Sequence, residues 1–509
     1  MRRAKQLLLH TSAMTATSLL MRTIALVFQV YVAGKIGAAG IGLFQLVMSV
    51  YTLATTVAVS GVRLAATRLI AQQTGRGDDA AIRRATGCAM GYAAFFGMAA
   101  LLLLFYLAPA AAAWVGDDRI ILSLRVLAFA LPFVAASGAM GGYFIAMHQS
   151  VKMSLVQLSE QFIRIGCTVL ALLRLGGYGL EYACGALTLG MLASEVFSFL
   201  ALLLLLLASL PRREGRCRTP MLPSLLRITV PLSLSSYARS ALSTAQHLLV
   251  PRGLRLFGGG ALAAYGVIQG MSLPILLFPA ALIAVIADLI VPELTEAQVQ
   301  GRLRGLGYML ERLYRLGLFF SMAVAGACFF FAHPLGELIY SEPAAGQYIR
   351  LLAPLVPIMY MDTLVDGMLK GVGEYHANMR YNIIDAATGL LLVWLLLPRY
   401  GVAGYLFSIS ATELLNFALS AARLTRVTVF RLQPLCWLLT AAAAVGGWWL
   451  LRLIFGRLLP RTGQPLILLL LVFLYLACYG AALLLCGALR REELSWLFSL
   501  LRGEKSPKT

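Results

Sequence analysis

The chain has 509 residues, of which 60% are hydrophobic and only 13% are charged, and its mean hydropathy is +0.82. Soluble domains carry about 25% charged residues and at most about half apolar residues. This composition therefore excludes a soluble multidomain protein, a disordered chain and a fibrous chain, and it favours a protein that crosses a membrane many times. The formal net charge of +20 is attributed to basic cytoplasmic loops, and no nucleic-acid partner is expected because no separate basic domain is present.

Apolar segments long enough to cross a bilayer recur along the whole chain and are joined by short connections. A transmembrane helix needs about 20 mostly apolar residues. The sequence accordingly predicts an all-α polytopic membrane protein with fourteen transmembrane helices, at residues 8–32, 41–70, 85–107, 120–146, 152–174, 181–208, 224–249, 261–290, 312–332, 348–369, 378–397, 402–423, 434–455 and 464–488. Residues 490–509 predict a C-terminal tail with an amphipathic helix that lies on the membrane surface.

The distribution of Lys and Arg predicts the orientation in the membrane. If the N-terminus is cytoplasmic and successive helices cross the membrane in opposite directions, 27 of the 42 Lys and Arg residues fall in cytoplasmic segments and 11 in outer segments. The other four lie within the predicted helices. Positive residues accumulate on the cytoplasmic side of membrane proteins, so both termini are predicted to be cytoplasmic. The basic stretch from Met1 to Lys5 is interpreted as the start of a retained first helix, because no clean signal cleavage site follows it.

An internal repeat links the two halves of the chain at an offset near 220 residues. The matching positions are Arg22 with Arg239, Gln29 with Gln246, Gly42-x-x-Gln45 with Gly266-x-x-Gln269, Glu160 with Asp385, and Ala193-Ser194-Glu195 with Ala411-Thr412-Glu413. Six predicted helices separate equivalent positions, and an even number preserves orientation, so the repeats are predicted to be parallel. The expected domains are an N-lobe at 1–208, a linker at 209–222, a C-lobe at 223–427 and two extra helices at 428–489, with a central cavity between the lobes.

Charged residues inside the predicted helices are the candidate functional residues. A charge at the bilayer centre costs about 2.5–3.5 kcal/mol even on the lenient insertion scale, so such residues usually face protein or water. Four arginines are predicted to bind an anionic substrate in the cavity, because a guanidinium forms paired hydrogen bonds with phosphate: Arg22, Arg63, Arg164 and Arg239. Six acids are candidates for binding a coupling ion or for a structural role: Glu160, Glu195, Asp362, Asp366, Asp385 and Glu413.

Several of these charges also have a structural interpretation, which remains open at this point. Glu160 and Arg164 are four residues apart on one helix and can neutralise each other. Glu195 and Glu413 occupy equivalent repeat positions, which favours a shared hydrogen-bonding role across helices. Asp385 lies near the predicted cytoplasmic end of its helix and can be solvated there. Arg63 can extend toward the inner interface, where its guanidinium would meet water.

Motifs for catalysis and metal binding are missing. There is no G-x-x-x-x-G-K-[ST], H-E-x-x-H or G-x-S-x-G sequence, the His residues do not cluster, and no C-x-x-C pair occurs. We therefore expect no catalytic residues, no resident metal and no cofactor, with Na⁺ or H⁺ as the candidate coupling ion.

Short motifs along the chain resemble those of a known superfamily. They are Gly34-Lys35-Ile36-Gly37-Ala38-Ala39-Gly40-Ile41-Gly42-Leu43-Phe44-Gln45, Ser159-Glu160-Gln161-Phe162-Ile163-Arg164, Leu289-Ile290-Val291-Pro292-Glu293 and Leu369-Lys370-Gly371-Val372-Gly373. Over about residues 1–430 the sequence resembles the polysaccharide exporter branch of the multidrug/oligosaccharidyl-lipid/polysaccharide flippase superfamily, particularly its stage V sporulation protein B-like members. In one departure, the chain has Gly61-Val62-Arg63 where the family commonly has Gly-x-Pro.

The resemblance implies a flippase that moves an undecaprenyl-diphosphate-linked oligosaccharide from the inner to the outer leaflet of the bacterial plasma membrane. The product would serve cell-wall, spore cortex or surface polysaccharide assembly. Expected partners are the lipid-linked glycan, the lipid bilayer and enzymes of cell-wall synthesis, and a monomer is expected. Two alternatives remain: a cation-coupled multidrug exporter of the same fold, and a non-transporting scaffold of a cell-wall synthesis complex. In the family, basic residues of the first two helices are implicated in substrate binding, which agrees with Arg22 and Arg63.

Overall fold

The computed structural model describes residues 2–210, 221–257, 260–430, 433–459 and 463–487, and within these ranges the secondary structure is helical, without strands. The helices are α1 (Arg2–Val59), α2 (Val62–Arg76), α3 (Asp79–Val115), α4 (Ile120–Ala128), α5 (Leu131–Ala146), α6 (Ser150–Leu175), α7 (Leu180–Ser209), α8 (Met221–Leu254), α9 (Ala261–Tyr265), α10 (Leu273–Leu277), α11 (Ala280–Val299), α12 (Leu303–Phe330), α13 (Ala332–Tyr340), α14 (Pro343–Leu352), α15 (Val356–Gly371), α16 (Tyr375–Val427), α17 (Pro434–Phe455) and α18 (Pro465–Leu485). Most of the predicted linker at 209–222 and the whole predicted tail at 490–509 lie outside the described residues.

The helical fold of a polytopic membrane protein is confirmed, whereas the count of fourteen crossings is not. By length and composition, nine helices in the described ranges can cross a membrane, or up to eleven if each of two bent helix pairs forms one span. Two of the nine are far longer than a bilayer requires, because helix continues where the sequence predicts a connection: Leu20–Arg76, which covers most of α1 and all of α2, has 57 residues, and Tyr375–Val427, which is α16, has 53. Their breaks are at Gly37 (φ 69°) in α1 and at Gly401 (φ 56°) in α16, and positive φ is readily adopted by glycine.

Proline and residues with positive φ interrupt other helices. Pro279 lies just before α11, where the chain bends by 59° between Ala261–Leu277 and Ala280–Ala287. Proline cannot donate the backbone hydrogen bond that would continue the helix. Ser60 and Gly61 both have positive φ and separate α1 from α2. Arg63 therefore lies in the first turn of a new helix rather than inside a continuous one.

The chain divides into two compact units. One unit comprises Ser12–Gly266 with Ala386–Tyr405, and the other comprises Met1–Thr11, Val267–Asp385 and Leu406–Thr509. We call them the basic unit and the acidic unit, because the first contains all four candidate arginines and the second contains four of the six candidate acids.

Close helix packing in the basic unit depends on small residues. A Cβ atom on Gly142 of α5 would lie 2.7 Å from the carbonyl oxygen of Arg63, and one on Gly97 of α3 would lie 2.8 Å from the Cα atom of Pro132. Small residues let helices approach closely in membranes, where packing rather than hydrophobic exclusion drives association. The packing of α2 on α5 thus fixes where the helix that carries Arg63 lies.

Two glycines from the matching motifs make a reciprocal contact in the same unit. A Cβ atom on Gly42 of α1 would overlap the carbonyl oxygen of Leu262, and one on Gly266 would overlap the carbonyl oxygen of Ala38 and lie 2.6 Å from the backbone nitrogen of Gly42. Leu262 and Ala38 are each four residues before the glycine of their own segment. The two backbones therefore meet where no side chain fits.

A cluster of hydroxyl groups links the turn between α1 and α2 with α3 and α8. Ser60, which is 1% exposed, has its Oγ 2.9 Å from the Tyr92 hydroxyl, 3.2 Å from Ser233 Oγ and 2.5 Å from the Tyr237 hydroxyl. Buried hydroxyls are costly without partners, and these residues satisfy one another. The network therefore holds the segment that precedes Arg63.

The acidic unit is organised around α12 and α15. In α12, the Phe330 ring stacks on Trp448 of α17 with centroids 4.4 Å apart, and the Tyr479 hydroxyl of α18 donates to the backbone oxygen of Phe319 at 3.0 Å. In α15, Gly367 packs against Ala287 of α11, to which a Cβ would approach within 2.7 Å. The two extra helices and the helix that carries Asp362 and Asp366 are thus parts of one packed body.

Candidate functional site

Arg164 of α6 lies in a cluster with two carboxylates. Its Nη2 atom is 2.6 Å from Glu160 Oε1 on the same helix and 3.9 Å from Glu195 Oε1 on α7, and its Nε donates to Ser194 Oγ at 3.3 Å. The predicted pairing at a four-residue spacing is present, and it is joined by a second acid. One guanidinium and two carboxylates have a formal charge of −1, so Arg164 is compensated in this structure.

A cavity of about 430 Å³ opens beside this cluster, within the basic unit. Both halves of the kinked helix α1 contribute to its wall, through Gln29 before the kink and Gln45 after it, and α6 contributes Gln161 and Arg164. Glu160 and Glu195 are not among the lining residues, so the wall presents the guanidinium and amides rather than carboxylates. Cavities of this size are typical of small-molecule sites, which span about 300–1,000 Å³.

The other three candidate arginines are exposed and have no such compensation. Arg22 on α1, Arg63 on α2 and Arg239 on α8 are exposed, and their guanidinium groups form no salt bridge or hydrogen bond with another residue in the described part of the chain. Arg63 passes near Gly141 of α5 and acts electrostatically on Glu195. Among the described residues, the structure thus separates the predicted basic set into one arginine held in a salt bridge and three that form none.

In the acidic unit, Asp362 and Asp366 lie on one face of α15 and contact polar residues of α16. Asp362 Oδ2 accepts a hydrogen bond from Asn416 Nδ2 at 2.9 Å, and Asp366 Oδ1 accepts one from Ser420 Oγ at 3.3 Å. The remaining oxygens, Asp362 Oδ1 and Asn416 Oδ1, are buried without a hydrogen-bond partner. Two neighbouring acceptors without a donor can be satisfied by a proton, a cation or a water molecule.

Glu413 and Asp385 belong to the same group of acids. Glu413 interacts electrostatically with Asp385 and Asp366, and Lys370 acts on Asp366. Among the described residues, no arginine or lysine forms a salt bridge with Asp362, Asp366 or Glu413. At the 225-residue offset of the predicted repeat, Gly389 stands in the second half at the position of Arg164.

One ion pair outside the membrane-spanning segments closes the turn between α3 and α4. Asp117 Oδ1 accepts from Arg119 Nε at 2.9 Å, and Asp117 Oδ2 accepts from Arg119 Nη2 at 2.7 Å. Burial alone would raise the pKa of Asp117, but the hydrogen bonds and charge of Arg119 outweigh it, so the pKa lies below its ordinary value. The pair stabilises a turn and lies apart from the candidate residues.

Sequence reasoning missed the uncharged partners in both groups. In the sequence, Gln29 and Gln45 stand out only as repeat matches and Gln161 only as part of a motif, although all three line the cavity. Asn416 follows Glu413 by three residues, and this spacing on one helix face was an available signal that it lies with the acids. That Asn416 bonds to Asp362 in particular depends on how α16 packs against α15.

Comparisons with known proteins agree with this architecture. Residues 7–298 match the family model described as polysaccharide biosynthesis protein. Stage V sporulation protein B of Bacillus subtilis (strain 168) is 25% identical over 441 residues, which cover 83% of this chain and 85% of that protein. Sporulation protein YkvU of the same organism is 20% identical over 378 residues, or 73% of this chain and 83% of that protein.

Two solved structures show the same fold at low sequence identity. The lipid II flippase MurJ in an inward closed conformation superposes with a TM-score of 0.70 at 12% identity, covering 92% of this chain and 97% of that one. An inward-facing multidrug resistance MATE family transporter of the MOP superfamily superposes with a TM-score of 0.64 at 15% identity, covering 81% and 98%.

Proposed function

Because the chain belongs to the polysaccharide biosynthesis protein family, a branch of the multidrug/oligosaccharidyl-lipid/polysaccharide flippases, we propose that it moves a lipid-linked oligosaccharide across the bacterial plasma membrane. The substrate is of the undecaprenyl-diphosphate type, and it passes from the inner to the outer leaflet by alternating access. The protein acts as a monomer with both termini in the cytoplasm and supplies the enzymes of cell-wall, spore cortex or surface polysaccharide synthesis.

One observation carries the choice of an anionic substrate. Arg22, Arg63 and Arg239 are exposed and have no salt bridge among the described residues. A charge in a membrane helix is costly unless it meets water, protein or a ligand, and guanidinium groups bind phosphate oxygens in pairs. Three available guanidiniums in one unit suit a diphosphate better than the cationic compounds that a multidrug exporter would carry.

Replacing these arginines is expected to slow the movement of a diphosphate-linked lipid. In proteoliposomes containing a fluorescent undecaprenyl-diphosphate sugar, Arg22→Ala and Arg63→Ala should each reduce the rate of leaflet exchange about tenfold, which corresponds to about 1.4 kcal/mol. The lysine variants should retain part of the rate, because lysine keeps the charge and loses the paired geometry.

Arg76→Ala is the matched control, since Arg76 is exposed at the other end of α2. Its rate should equal that of the unmodified chain. Unchanged rates in both Arg22→Ala and Arg63→Ala would remove the basis for an anionic substrate. Transport of lipophilic cations without any movement of diphosphate lipid would support the multidrug alternative, and absence of both activities would support a scaffold.

We also propose that the acids of the acidic unit bind the coupling ion, Na⁺ or H⁺. The unpartnered oxygens of Asp362 and Asn416 support this role, because carboxylate and amide oxygens are ligands for hard cations and a carboxylate is the natural acceptor for a proton. Glu160 and Glu195 are less suited, since Arg164 already occupies them.

Asp362→Asn is expected to abolish the effect of an ion gradient on transport while exchange without a gradient continues. The asparagine preserves the shape of the side chain and removes the charge that binds the ion. Proteoliposome flipping is measured with an imposed Na⁺ gradient and, separately, with a pH gradient. Glu337→Gln, an exposed acid on α13, serves as the control, and unchanged gradient dependence in Asp362→Asn would rule out a coupling role for this group.

A further inference from the structure

We propose that the cavity beside Arg164 in the basic unit is a subsite for the uncharged sugar part of the substrate. The inference rests on the proposed function and assigns a separate location to one part of the same molecule. Gln29, Gln45 and Gln161 line this cavity of about 430 Å³ together with Phe28 and Phe44.

The hydrogen-bonding groups of the cavity suit hydroxyl and amide groups. Each glutamine offers one carbonyl acceptor and two N–H donors, and a sugar hydroxyl both donates and accepts. The side chains of Gln45 and Gln161 form no hydrogen bond with another residue of the described ranges. Their amides are therefore available to a ligand, whereas the hydroxyl of Thr52 is already bonded to the backbone oxygen of Met48 at 2.7 Å.

The charge distribution around this cavity favours a neutral ligand over a cation or a phosphate. The lining includes the Arg164 guanidinium and no carboxylate, so a cationic ligand would find no anionic group to contact in the wall. A phosphate would face a guanidinium whose charge is cancelled by Glu160 at 2.6 Å and Glu195 at 3.9 Å. A neutral ligand meets neither penalty, and a charge left without compensation in a membrane protein is costly.

The apolar part of the lining suits the carbon face of a sugar ring. Phe28 and Phe44 contribute aromatic surface, and small-molecule sites characteristically combine such surface with a few polar groups that fix orientation. The cavity has the size of a small-molecule site rather than of a whole lipid-linked glycan. We therefore assign the diphosphate to the uncompensated arginines and the first sugar to this cavity.

The test compares two lipids that differ only in the sugar. The full-length chain in nanodiscs is titrated with farnesyl diphosphate and with farnesyl diphosphate carrying one N-acetylhexosamine. The sugar-bearing lipid should bind about tenfold more tightly, as two net hydrogen bonds of about 0.5–1.5 kcal/mol each would give. The double variant Gln45→Ala/Gln161→Ala should abolish this difference and leave the affinity for farnesyl diphosphate unchanged.

Gln157→Ala is the matched control, because Gln157 lies on the same helix α6 and does not line the cavity. Equal affinity of the unmodified chain for the two lipids would overturn the subsite, as would a double variant that keeps the tenfold difference. Displacement of the sugar-bearing lipid by tetraphenylphosphonium through this cavity would show a cation site instead. If neither lipid binds, the proposed function itself fails, which is a different outcome from the loss of sugar discrimination alone.

Discussion

Gly42→Ala is expected to destabilise the protein by about 1–3 kcal/mol, the usual cost of overpacking, and to stop transport. The new methyl group would overlap the carbonyl oxygen of Leu262, and Gly266→Ala would meet the carbonyl oxygen of Ala38 in the same way. Because the obstructing atoms are backbone, no side-chain rotation can relieve the overlap, and the two helices have to separate.

Gly34→Ala provides an internal control for this prediction. Gly34 lies on the same helix α1, and a Cβ atom there would meet no atom within 4 Å. Alanine is the better helix former by up to about 1 kcal/mol, so this variant should be neutral or slightly stabilised. The two variants are purified and compared first by thermal unfolding and then in the proteoliposome assay. Equal unfolding temperatures for Gly42→Ala and Gly34→Ala would contradict the close backbone contact at Gly42.

Arg164→Ala is expected to destabilise the protein by about 2–4 kcal/mol, because it leaves Glu160 and Glu195 without their counter-ion. This loss of stability is smaller than that expected for a fully buried ion pair, because the Arg164 side chain is 28% exposed. Glu160→Gln should cost much less, because Arg164 and Glu195 would then balance each other in charge.

The contrast between removing the cation and removing one anion is the diagnostic result. Both variants are compared by thermal unfolding in the same detergent, and the triple variant Arg164→Ala/Glu160→Gln/Glu195→Gln should recover much of the stability lost in Arg164→Ala. A larger loss from Glu160→Gln than from Arg164→Ala would mean that Glu160 has a role beyond pairing with Arg164, such as holding a coupling ion.

The all-helical membrane fold was predictable because the chain has too few charged residues for a soluble protein and because apolar segments of about 20 residues recur along it. Span boundaries were less predictable where the helix continues through a connection. At Gly37 and Gly401 a single residue with positive φ redirects the chain, and hydropathy does not reveal whether a short polar connection is loop or helix. The fourteen crossings therefore remain a prediction.

The candidate site was predictable within a helix and much less so between helices. The spacing of Glu160 and Arg164 was sufficient to predict their ion pair. The approach of Glu195 to the same guanidinium depends on how α6 packs against α7, and the contact of Asp362 with Asn416 depends on α15 and α16. These distances are set by tertiary packing, which a single sequence does not encode in any local pattern.

The reciprocal arrangement of Gly42 and Gly266 has a consequence for the origin of the chain. Each glycine faces the carbonyl oxygen four residues before the other, Leu262 in one case and Ala38 in the other. Such an isologous contact is what a two-fold axis creates between identical subunits. A half-length ancestor with one glycine at this position would already have had a self-complementary surface for homodimerisation, and gene fusion would have converted an intermolecular contact into an intramolecular one.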